Sequence, residues 1–317
     1  MNEFMTLKMS RVVKSIVFDY AVLFAAMAAG VASDNVFFKL SCGLVIARQF
    51  HALAILFHEG AHYNLSRNRV LNDFISDWVV GAMQFFSIKA YRVLHARHHS
   101  HLLTQKDPDF RLYNDFPMNI KTFLTRRVLK DLMGVSAPKI LTYFNFPKEK
   151  EKLILKKYYI DPHSLLRGGL WLTLVSAALL TFGSAMDIVY LWLIPLLCFF
   201  PIMLRLRAVM EHGGLSESHE DHGVTGGTRT IKSFLANILI CPHNIGYHTE
   251  HHLQPAVPYY NLPKVNEWML EKFDTQELNV HDNLATVFQQ IFVPNDISPA
   301  GATVEASSMP NIELAAS

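Results

Sequence analysis

The sequence predicts an all-α integral membrane protein with four transmembrane helices in two hairpins and a cytosolic helical cap. Half of the 317 residues are hydrophobic and the mean hydropathy is +0.17, which is high for a water-soluble protein. The apolar residues gather in four runs of nearly membrane-spanning length, and histidines gather in three clusters outside those runs. Residues 1–294 are expected to form one integral-membrane domain, and residues 295–317, rich in Ser, Ala and Pro, a disordered tail.

Four apolar runs are the candidate spans: Ile16–Ala32, Val36–Phe57, Gly169–Gly183 and Ile188–Leu204. A spanning helix needs roughly 20 mostly apolar residues. Some runs are slightly short and one carries Lys39 and Arg48, so a buried helix of a globular core is the alternative for any single run. The short polar turns Ser33–Asn35 and Ser184–Asp187 join the runs in pairs, which indicates two membrane hairpins.

Basic residues orient these spans. They lie before the first run, after the second, before the third and after the fourth: Lys8, Arg11, Lys14, Arg67, Arg69, Lys89, Arg92, Arg97, Lys148–Lys157, Arg167, Arg205 and Arg207. The two turns on the other side carry almost no positive charge. Since Lys and Arg are retained on the cytoplasmic side, both termini and all three histidine clusters are expected there. The first run lacks an obvious export cleavage site.

Composition argues against several other classes of protein. The formal net charge is only +2, so nothing favours nucleic acid as a partner. Cys42, Cys198 and Cys241 form no CxxC motif, so neither a disulfide framework nor a zinc ribbon is expected. These cysteines are predicted to be small buried apolar residues.

Between and after the spans, the sequence predicts shorter elements. The segment Asp73–Ile88 is amphipathic and is expected either at the membrane interface or as a packed core helix. The polar, basic and aromatic stretch Thr104–Tyr158 is expected to form a cytosolic cap. The stretch Ile231–Cys241 is apolar but too short to span a bilayer. Pro255 and Pro258 are expected to end the helix of the third histidine cluster.

The three histidine clusters share a spacing that places their imidazoles on one helical face. They are His58-Glu59-Gly60-Ala61-His62, His95-Ala96-Arg97-His98-His99 and His248-Thr249-Glu250-His251-His252. Residues three or four apart share a helix face, and imidazole suits iron, zinc, copper and nickel. The clusters therefore predict metal binding. The isolated histidines are read as hydrogen-bonded bystanders: His51, His163, His219, His222 and His281.

The first cluster also reads as H-E-x-x-H, the signature of zinc metalloproteases in which two histidines bind zinc and the glutamate is the general base. A membrane zinc protease with Glu59 as base is therefore an alternative. It needs one further ligand and an open coordination position, and it leaves the other two clusters unexplained. Eight or nine clustered histidines exceed the four ligands of one zinc ion and fit two metals.

The order H-x3-H, H-x2-H-H, H-x2-H-H, set between two hydrophobic pairs, resembles the membrane fatty acid desaturase superfamily. The likeness covers roughly His58 to Pro263 and is closest around Asn244–His252. Lys106–Asp109 and Pro255–Pro263 also resemble that family, and the Tyr-His-x-Glu-His-His wording is similar to its bacterial and sphingolipid-type branches. The resemblance implies that residues 1–294 are a desaturase-like domain.

The resemblance further implies two Fe ions held by histidines on the cytosolic face. The implied metal ligands are His58, His62, His95, His98, His99, His212, His248, His251 and His252. Of these, His212 matches an extra histidine that family members supply after the fourth span, with a capping or bystander role as the alternative. Some relatives carry an asparagine ligand one turn earlier, where this chain has Ala208, so one metal is expected to lack that ligand or to use water instead.

Carboxylates near metal-binding histidines can orient their free ring N–H groups. The candidates for this supporting role are Glu59, Asp107, Asp109, Glu211 and Glu250, and Asn244 is a further outer candidate. Solvated surface charge is the alternative for the acidic residues, and capping of a loop is the alternative for Asn244.

The reaction implied is O2-dependent desaturation of a fatty acyl or related lipid chain. A lipid hydroxylase, ketolase or alkene-forming decarboxylase of the same superfamily is an alternative product class, and a non-catalytic metal-binding or lipid-carrier protein is a third class. The chain has no GxGxxG motif and no cytochrome b5-like His-Pro-Gly-Gly. Electrons are therefore expected from a separate ferredoxin, rubredoxin or cytochrome with its reductase. A bacterial inner membrane is favoured over the endoplasmic reticulum.

Overall fold

The computed structural model describes residues 2–140, 162–215, 225–273 and 278–294, and these are mostly helical. The α-helices are α1 Met9–Val31, α2 Val36–Ala61, α3 Arg69–Phe74, α4 Ile88–Ser100, α5 Phe110–Tyr113, α6 Ile120–Phe123, α7 Leu129–Leu132, α8 Pro162–Phe182, α9 Ala185–Ile188, α10 Phe200–His212, α11 Phe234–Leu239, α12 His248–Leu253, α13 Leu262–Leu270 and α14 Leu284–Ile291. Two-residue strands lie at β1 Met118–Asn119, β2 Thr230–Ile231, β3 Val280–His281 and β4 Phe292–Val293. The predicted tail at 295–317 and the later part of the predicted cap, 141–161, lie outside the described residues.

The chain divides into two compact units. The span unit comprises Met5–His95 and Arg126–Leu204, and the histidine-rich unit comprises Met1–Phe4, Ala96–Thr125 and Arg205–Ser317. The assignment of residues 1–294 to one domain stays a prediction.

Within the described part of the chain, four helices are long and apolar enough to cross a membrane, as predicted. They are span one Met9–Val31, span two Val36–Ala61, span three Pro162–Phe182 and span four Ala185–His212. Each continuous helix extends beyond the apolar run that predicted it at one end or both, because helical structure continues through flanking polar residues whose long side chains reach water. Span two is central to its unit, since 72% of its apolar window is buried against 22% in spans one and three. The hairpin arrangement stays a prediction.

The starts of spans two and four are set by capping side chains. The Asn35 side chain accepts a hydrogen bond from the Phe38 backbone N–H, 3.1 Å away. At span four, Ser184 and Asp187 form a reciprocal capping box. Residues Ser184–Asp187 were predicted as a turn, which was wrong, because Ser-x-x-Asp satisfies the first helical N–H groups and starts the helix at Ala185.

Polar side chains also connect spans within the span unit. The Lys39 ammonium in span two pairs with the Asp187 carboxylate in span four, and both are buried. Further along span two, the Gln49 amide donates to the backbone carbonyl and carboxylate of Asp19 in span one, at 3.1 and 3.3 Å. A polar group in an apolar medium is stabilised only when it finds such a partner.

The segment predicted as one amphipathic helix, Asp73–Ile88, is helical as far as Val80, and only a short 3-10 turn, Ala82–Gln84, separates that helix from α4. Phe74 and Trp78 are 54% and 40% exposed, whereas Phe86 is buried. The interface prediction therefore suits its first half and the core prediction suits its second half. Asp77 accepts a hydrogen bond from the Ile88 backbone N–H at 2.8 Å, which caps the helix that carries the second histidine cluster.

In the histidine-rich unit, two small parallel pairings tie distant segments together. Strand β1 pairs with β4, and β2 pairs with β3. Arg229, just before β2, is fully buried and donates to the carbonyl oxygens of Met210 and Gly213 and to the Gln290 side chain. This guanidinium thereby caps the carboxyl end of α10, where His212 lies.

Replacing Asp187 by Asn should destabilise the span unit, because the Lys39 ammonium stays buried beside a neutral amide. Removing one partner of a buried ion pair typically costs about 3–5 kcal/mol. We expect a lower midpoint of thermal unfolding in detergent, followed by fluorescence-detected gel filtration. Adding Lys39→Met should recover much of the loss, since an apolar replacement of both charges is often neutral. An equal midpoint for the single variant and the unaltered protein would contradict this role of the pair.

Candidate metal centre

Four histidines of the histidine-rich unit converge on one point. His98, His212, His248 and His252 each offer a ring nitrogen, and these nitrogens all lie within 4.8 Å of one another. All four side chains are buried. His98 comes from α4, His212 is the last residue of α10, and His248 and His252 lie one turn apart on α12, so the helical spacing of the third cluster places two of the nitrogens together. We refer to this group as the four-histidine cluster.

The His98 ring is oriented by Asp107. Its Nδ1 donates to the buried carboxylate, with both oxygens 3.0 Å away. The carboxylate also accepts from the Tyr113 hydroxyl and from the Asp109 backbone N–H at 2.8 Å. Because the proton is held on Nδ1, the lone pair of Nε2 is presented to the cluster, which is the usual arrangement of a metal-binding histidine.

The His212 ring is oriented in the same way by a backbone group. Its Nδ1 lies 2.9 Å from the Gly227 carbonyl oxygen, which can only accept, so the proton is on Nδ1 and Nε2 carries the lone pair. The Tyr113 ring packs against this imidazole with centroids 5.0 Å apart. Tyr113 therefore contacts His212 directly and is linked to His98 through the Asp107 carboxylate.

The spacing of the Nε2 atoms fits a bound metal ion. His248 Nε2 lies 3.0 Å from His212 Nε2 and 3.0 Å from His252 Nε2. One neutral Nε2 carries at most one proton, so His248 can donate one well-aligned hydrogen bond and not two. If two nitrogens each lie about 2.1 Å from the same ion and the nitrogen–ion–nitrogen angle is a right angle, the two nitrogens are about 3.0 Å apart. A cation that accepts all the lone pairs therefore satisfies every nitrogen at once.

The protonation states of the imidazoles in the four-histidine cluster suit metal binding. Burial, together with the neighbouring histidines, lowers the pKa of His248 and His252 well below the usual value, so both are neutral near pH 7. For His98, two effects oppose each other. Burial lowers the pKa, but the hydrogen bond and the charge of Asp107 raise it by more, so the net shift is upward. The Asp107 carboxylate thus makes the His98 ring more basic, which is the effect that a supporting carboxylate has on a metal-binding histidine.

Glu211 lies beside the same cluster. One carboxylate oxygen is 3.4 Å from His248 Nε2, and the other accepts from Arg207 Nε at 2.7 Å, one turn earlier on α10. The Arg207 guanidinium therefore balances a buried negative charge next to the imidazoles.

A second group of three imidazoles lies in the span unit. The ligand nitrogens of His58, His62 and His95 lie within 4.8 Å of one another, and the Nε2 atoms of His62 and His95 are 2.8 Å apart. His58 is in the last turn of α2 and His62 is its C-cap residue. The Tyr91 ring stacks on His95 with centroids 5.2 Å apart. We refer to this group as the three-histidine cluster.

Glu59, the glutamate of the H-E-x-x-H sequence, is fully buried in the span unit. Its carboxylate accepts from the Asn64 amide at 3.2 Å, and its other oxygen lies 3.6 Å from His58 Nδ1. This geometry places the Glu59 carboxylate beside the Nδ1 edge of the His58 ring.

The remaining predicted residues lie within the histidine-rich unit. The Nε2 atoms of His99 and His251 are 3.2 Å apart. Asp109 lies 3.8 Å from His98 Nδ1. The buried Glu250 carboxylate accepts from the Thr230 hydroxyl and from Asn266 Nδ2 at 2.7 Å. Asn244 has a left-handed backbone and donates to the Tyr259 carbonyl at 3.3 Å, which is the geometry of a loop-capping residue.

Sequence reasoning did not identify several residues that bond to His212, to the end of α10 or to the carboxylates of Asp107 and Glu250. They are Tyr113, Gly227, Arg229, Thr230 and Asn266. None lies within a histidine motif. Only Tyr113, six residues after Asp107, is close enough in sequence to its partner to have been considered.

Comparisons with known proteins agree with this geometry. The family model described as fatty acid desaturase matches residues 35–283, which is more than three quarters of the chain. This range contains all the clustered histidines of the sequence, from His58 to His252. A dihydrorhizobitoxine desaturase of Bradyrhizobium elkanii is 25% identical over 269 residues, which covers 78% of this chain and 72% of that protein.

Replacing Asp107 by Asn should weaken metal binding at the four-histidine cluster. The amide lacks the charge that holds the proton on His98 Nδ1, and loss of such a partner typically costs roughly 10–100-fold in metal affinity. Anaerobic titration of metal-free protein with cobalt(II), followed by its visible absorption, measures the affinity. Asp115→Asn is the matched control, because Asp115 is an exposed aspartate of the same unit. Equal affinities for the two variants would rule out the orienting role.

Proposed function

The chain belongs to the fatty acid desaturase family, and from that premise we propose that it desaturates a fatty acyl or related lipid chain with O2 at two irons held by its clustered histidines. As a member of this family with a desaturase relative, it is an oxidoreductase enzyme of the membrane. The acyl substrate, the iron count and the electron donor are the proposed parts.

The observation that carries the proposal is the four-histidine cluster. Four buried imidazoles converge, and two of them have the Nδ1 proton fixed by Asp107 and by the Gly227 carbonyl. Iron is well matched by neutral imidazole ligands. We propose this cluster as the ligand set of one iron and the three-histidine cluster as ligands of the other. His99 and His251 are proposed as further ligands, which accounts for all nine histidines of the family pattern.

Bound iron would supply the oxidising power that no side chain has, since an unactivated C–H bond resists acid–base chemistry. In the overall reaction, two adjacent carbons of the chain each lose one hydrogen atom and a double bond forms. Dioxygen takes up these two hydrogen atoms, together with two electrons from a donor and two protons from water, and leaves as two water molecules.

The protein's own residues then have three tasks. Asp107 and Gly227 hold ring protons at Nδ1 so that the ring lone pairs point inward. Arg207 compensates the charge of Glu211, which would otherwise be buried without a counterion. The burial of all four imidazoles keeps bulk water away from the reacting atoms.

The two electrons are proposed to come from a separate ferredoxin, rubredoxin or cytochrome with its reductase, because the sequence contains no nucleotide-binding fingerprint. The proposed location is a bacterial inner membrane with the site on the cytoplasmic face. The basic residues that flank the spans support that orientation, and the Bradyrhizobium relative supports a bacterial membrane.

A second candidate substrate follows from the relative itself. Its name identifies dihydrorhizobitoxine as the compound that it desaturates. We therefore include that compound beside acyl lipids in the assay below. The zinc-protease alternative is not retained, because the family is one of oxidoreductases and Glu59 is buried against Asn64.

Purified protein, reconstituted in vesicles with a reduced ferredoxin system and O2, should convert an acyl lipid to a product two hydrogen atoms lighter. Mass spectrometry of the lipids and an oxygen electrode measure product and oxygen uptake. A product heavier by one oxygen atom would instead assign a hydroxylase. Conversion of dihydrorhizobitoxine alone would assign the second candidate, and metal binding without oxygen uptake on any substrate would overturn the enzymatic proposal.

Replacing His212 by Ala should remove one iron ligand, lower the bound iron and abolish turnover. Metal analysis of the purified variant and the vesicle assay report the two effects separately. His163→Ala is the matched control, since His163 is an exposed histidine in the first turn of span three. His281 is a poorer control than its isolation in sequence suggested, because its ring contacts Thr286 and Asn279. Full iron content with normal product in His212→Ala would remove this residue from the ligand set.

A further inference from the structure

Helix α11 presents a continuous apolar face to the outside of the histidine-rich unit. Phe234, Leu235, Ile238 and Leu239 are 75%, 59%, 45% and 52% exposed, whereas Ala236 on the opposite side is fully buried. Their spacing places two side chains on each of two successive turns. Large hydrophobic side chains grouped in this way mark a contact surface and not an ordinary soluble face.

The helix is too short to cross a membrane. Six residues span about 9 Å at 1.5 Å per residue, against a hydrocarbon core of about 30 Å. Its amino terminus is capped within the unit, because the Ser233 side chain accepts from the Ala236 backbone N–H. Lys232, just before it, pairs with the exposed Asp282 at 3.6 Å. A capped apolar turn flanked by a basic residue is typical of a segment that lies in the membrane interface.

Interactions at both ends of the segment connect it to the last turn of α10. Arg229, five residues before α11, donates to the carbonyls of Met210 and Gly213. Cys241, two residues after it, is buried, and burial and the nearby Glu211 charge raise the pKa of its thiol. The segment thus leaves the carboxyl end of α10 and returns towards it within the same unit.

We propose that the apolar face of α11 is a membrane-contact surface, with its four side chains inserted among lipid acyl chains at the surface of the bilayer. The occupant is lipid because the segment is connected through Arg229 to α10, the continuation of span four, and because the four exposed side chains carry no charged or hydrogen-bonding group. A protein partner would instead be expected to need a polar rim around its apolar centre. This inference goes beyond the proposed function, since it requires only that the chain is a membrane protein.

Site-directed spin labelling tests the proposal. The background carries Cys198→Ser, because Cys42 and Cys241 are buried and Cys198 is partly exposed. A nitroxide is attached at Leu235→Cys or, in a second variant, at Phe234→Cys. The full-length protein is reconstituted in phosphatidylcholine vesicles, and power saturation compares access by oxygen with access by a water-soluble nickel chelate. Labels in lipid are relaxed by oxygen and protected from nickel.

The matched control is Lys272→Cys, which places the label at an exposed charged position of the same unit. We expect oxygen-dominated relaxation at residues 234 and 235 and nickel-dominated relaxation at residue 272. Nickel-dominated relaxation at all three positions would overturn the proposal. Protection from both reagents, with dipolar broadening between labels, would overturn it in favour of a second copy of the chain. Neither readout depends on turnover, so this result is separate from that of the proposed reaction.

Discussion

The position of a single proton on each imidazole is the constraint on which the centre depends. A neutral histidine binds a metal through one nitrogen only if the other nitrogen holds the proton. In a buried site, water is not available to hold it, and the structure supplies a protein acceptor behind two of the four rings. Asp107 serves His98 and the Gly227 carbonyl serves His212. A side chain and a backbone carbonyl thus have the same function, but only the side chain can be identified from the sequence.

That constraint extends outward through the histidine-rich unit. Gly227 can accept from His212 only if α10 ends at the correct residue and the following segment returns to it. Arg229 provides this restraint by binding the carbonyls at the end of α10 and the side chain of Gln290. A buried guanidinium is costly when, as among the residues that the structure describes, its hydrogen-bond partners are neutral, and burial lowers the pKa of Arg229 to about 9. Such a cost is tolerated where the geometry that it secures matters to the site.

The parts that sequence predicted are those with local signals. Histidine spacing is read along one helix, and apolar runs are read along one span, so both were identified. The partners of Glu250 were not identified, because Thr230 and Asn266 lie 20 and 16 residues away and are brought together by folding. Asn244 belongs to the motif by sequence, yet its left-handed backbone and its bond to Tyr259 assign it to the loop. The position of a residue in a sequence motif therefore predicts where the residue lies in the structure better than it predicts what the residue does.

The membrane spans show the same limit of sequence-based prediction for apolar residues. Hydropathy identifies helices but does not choose their partners, because lipid and leucine are nearly equivalent neighbours. In the span unit a few polar contacts contribute to that choice, since Gln49 binds Asp19 in span one and Lys39 binds Asp187 in span four. Both contacts involve span two, the helix that ends in the first histidine cluster. The position of those histidines therefore depends on polar side chains well inside the same helix, away from any metal.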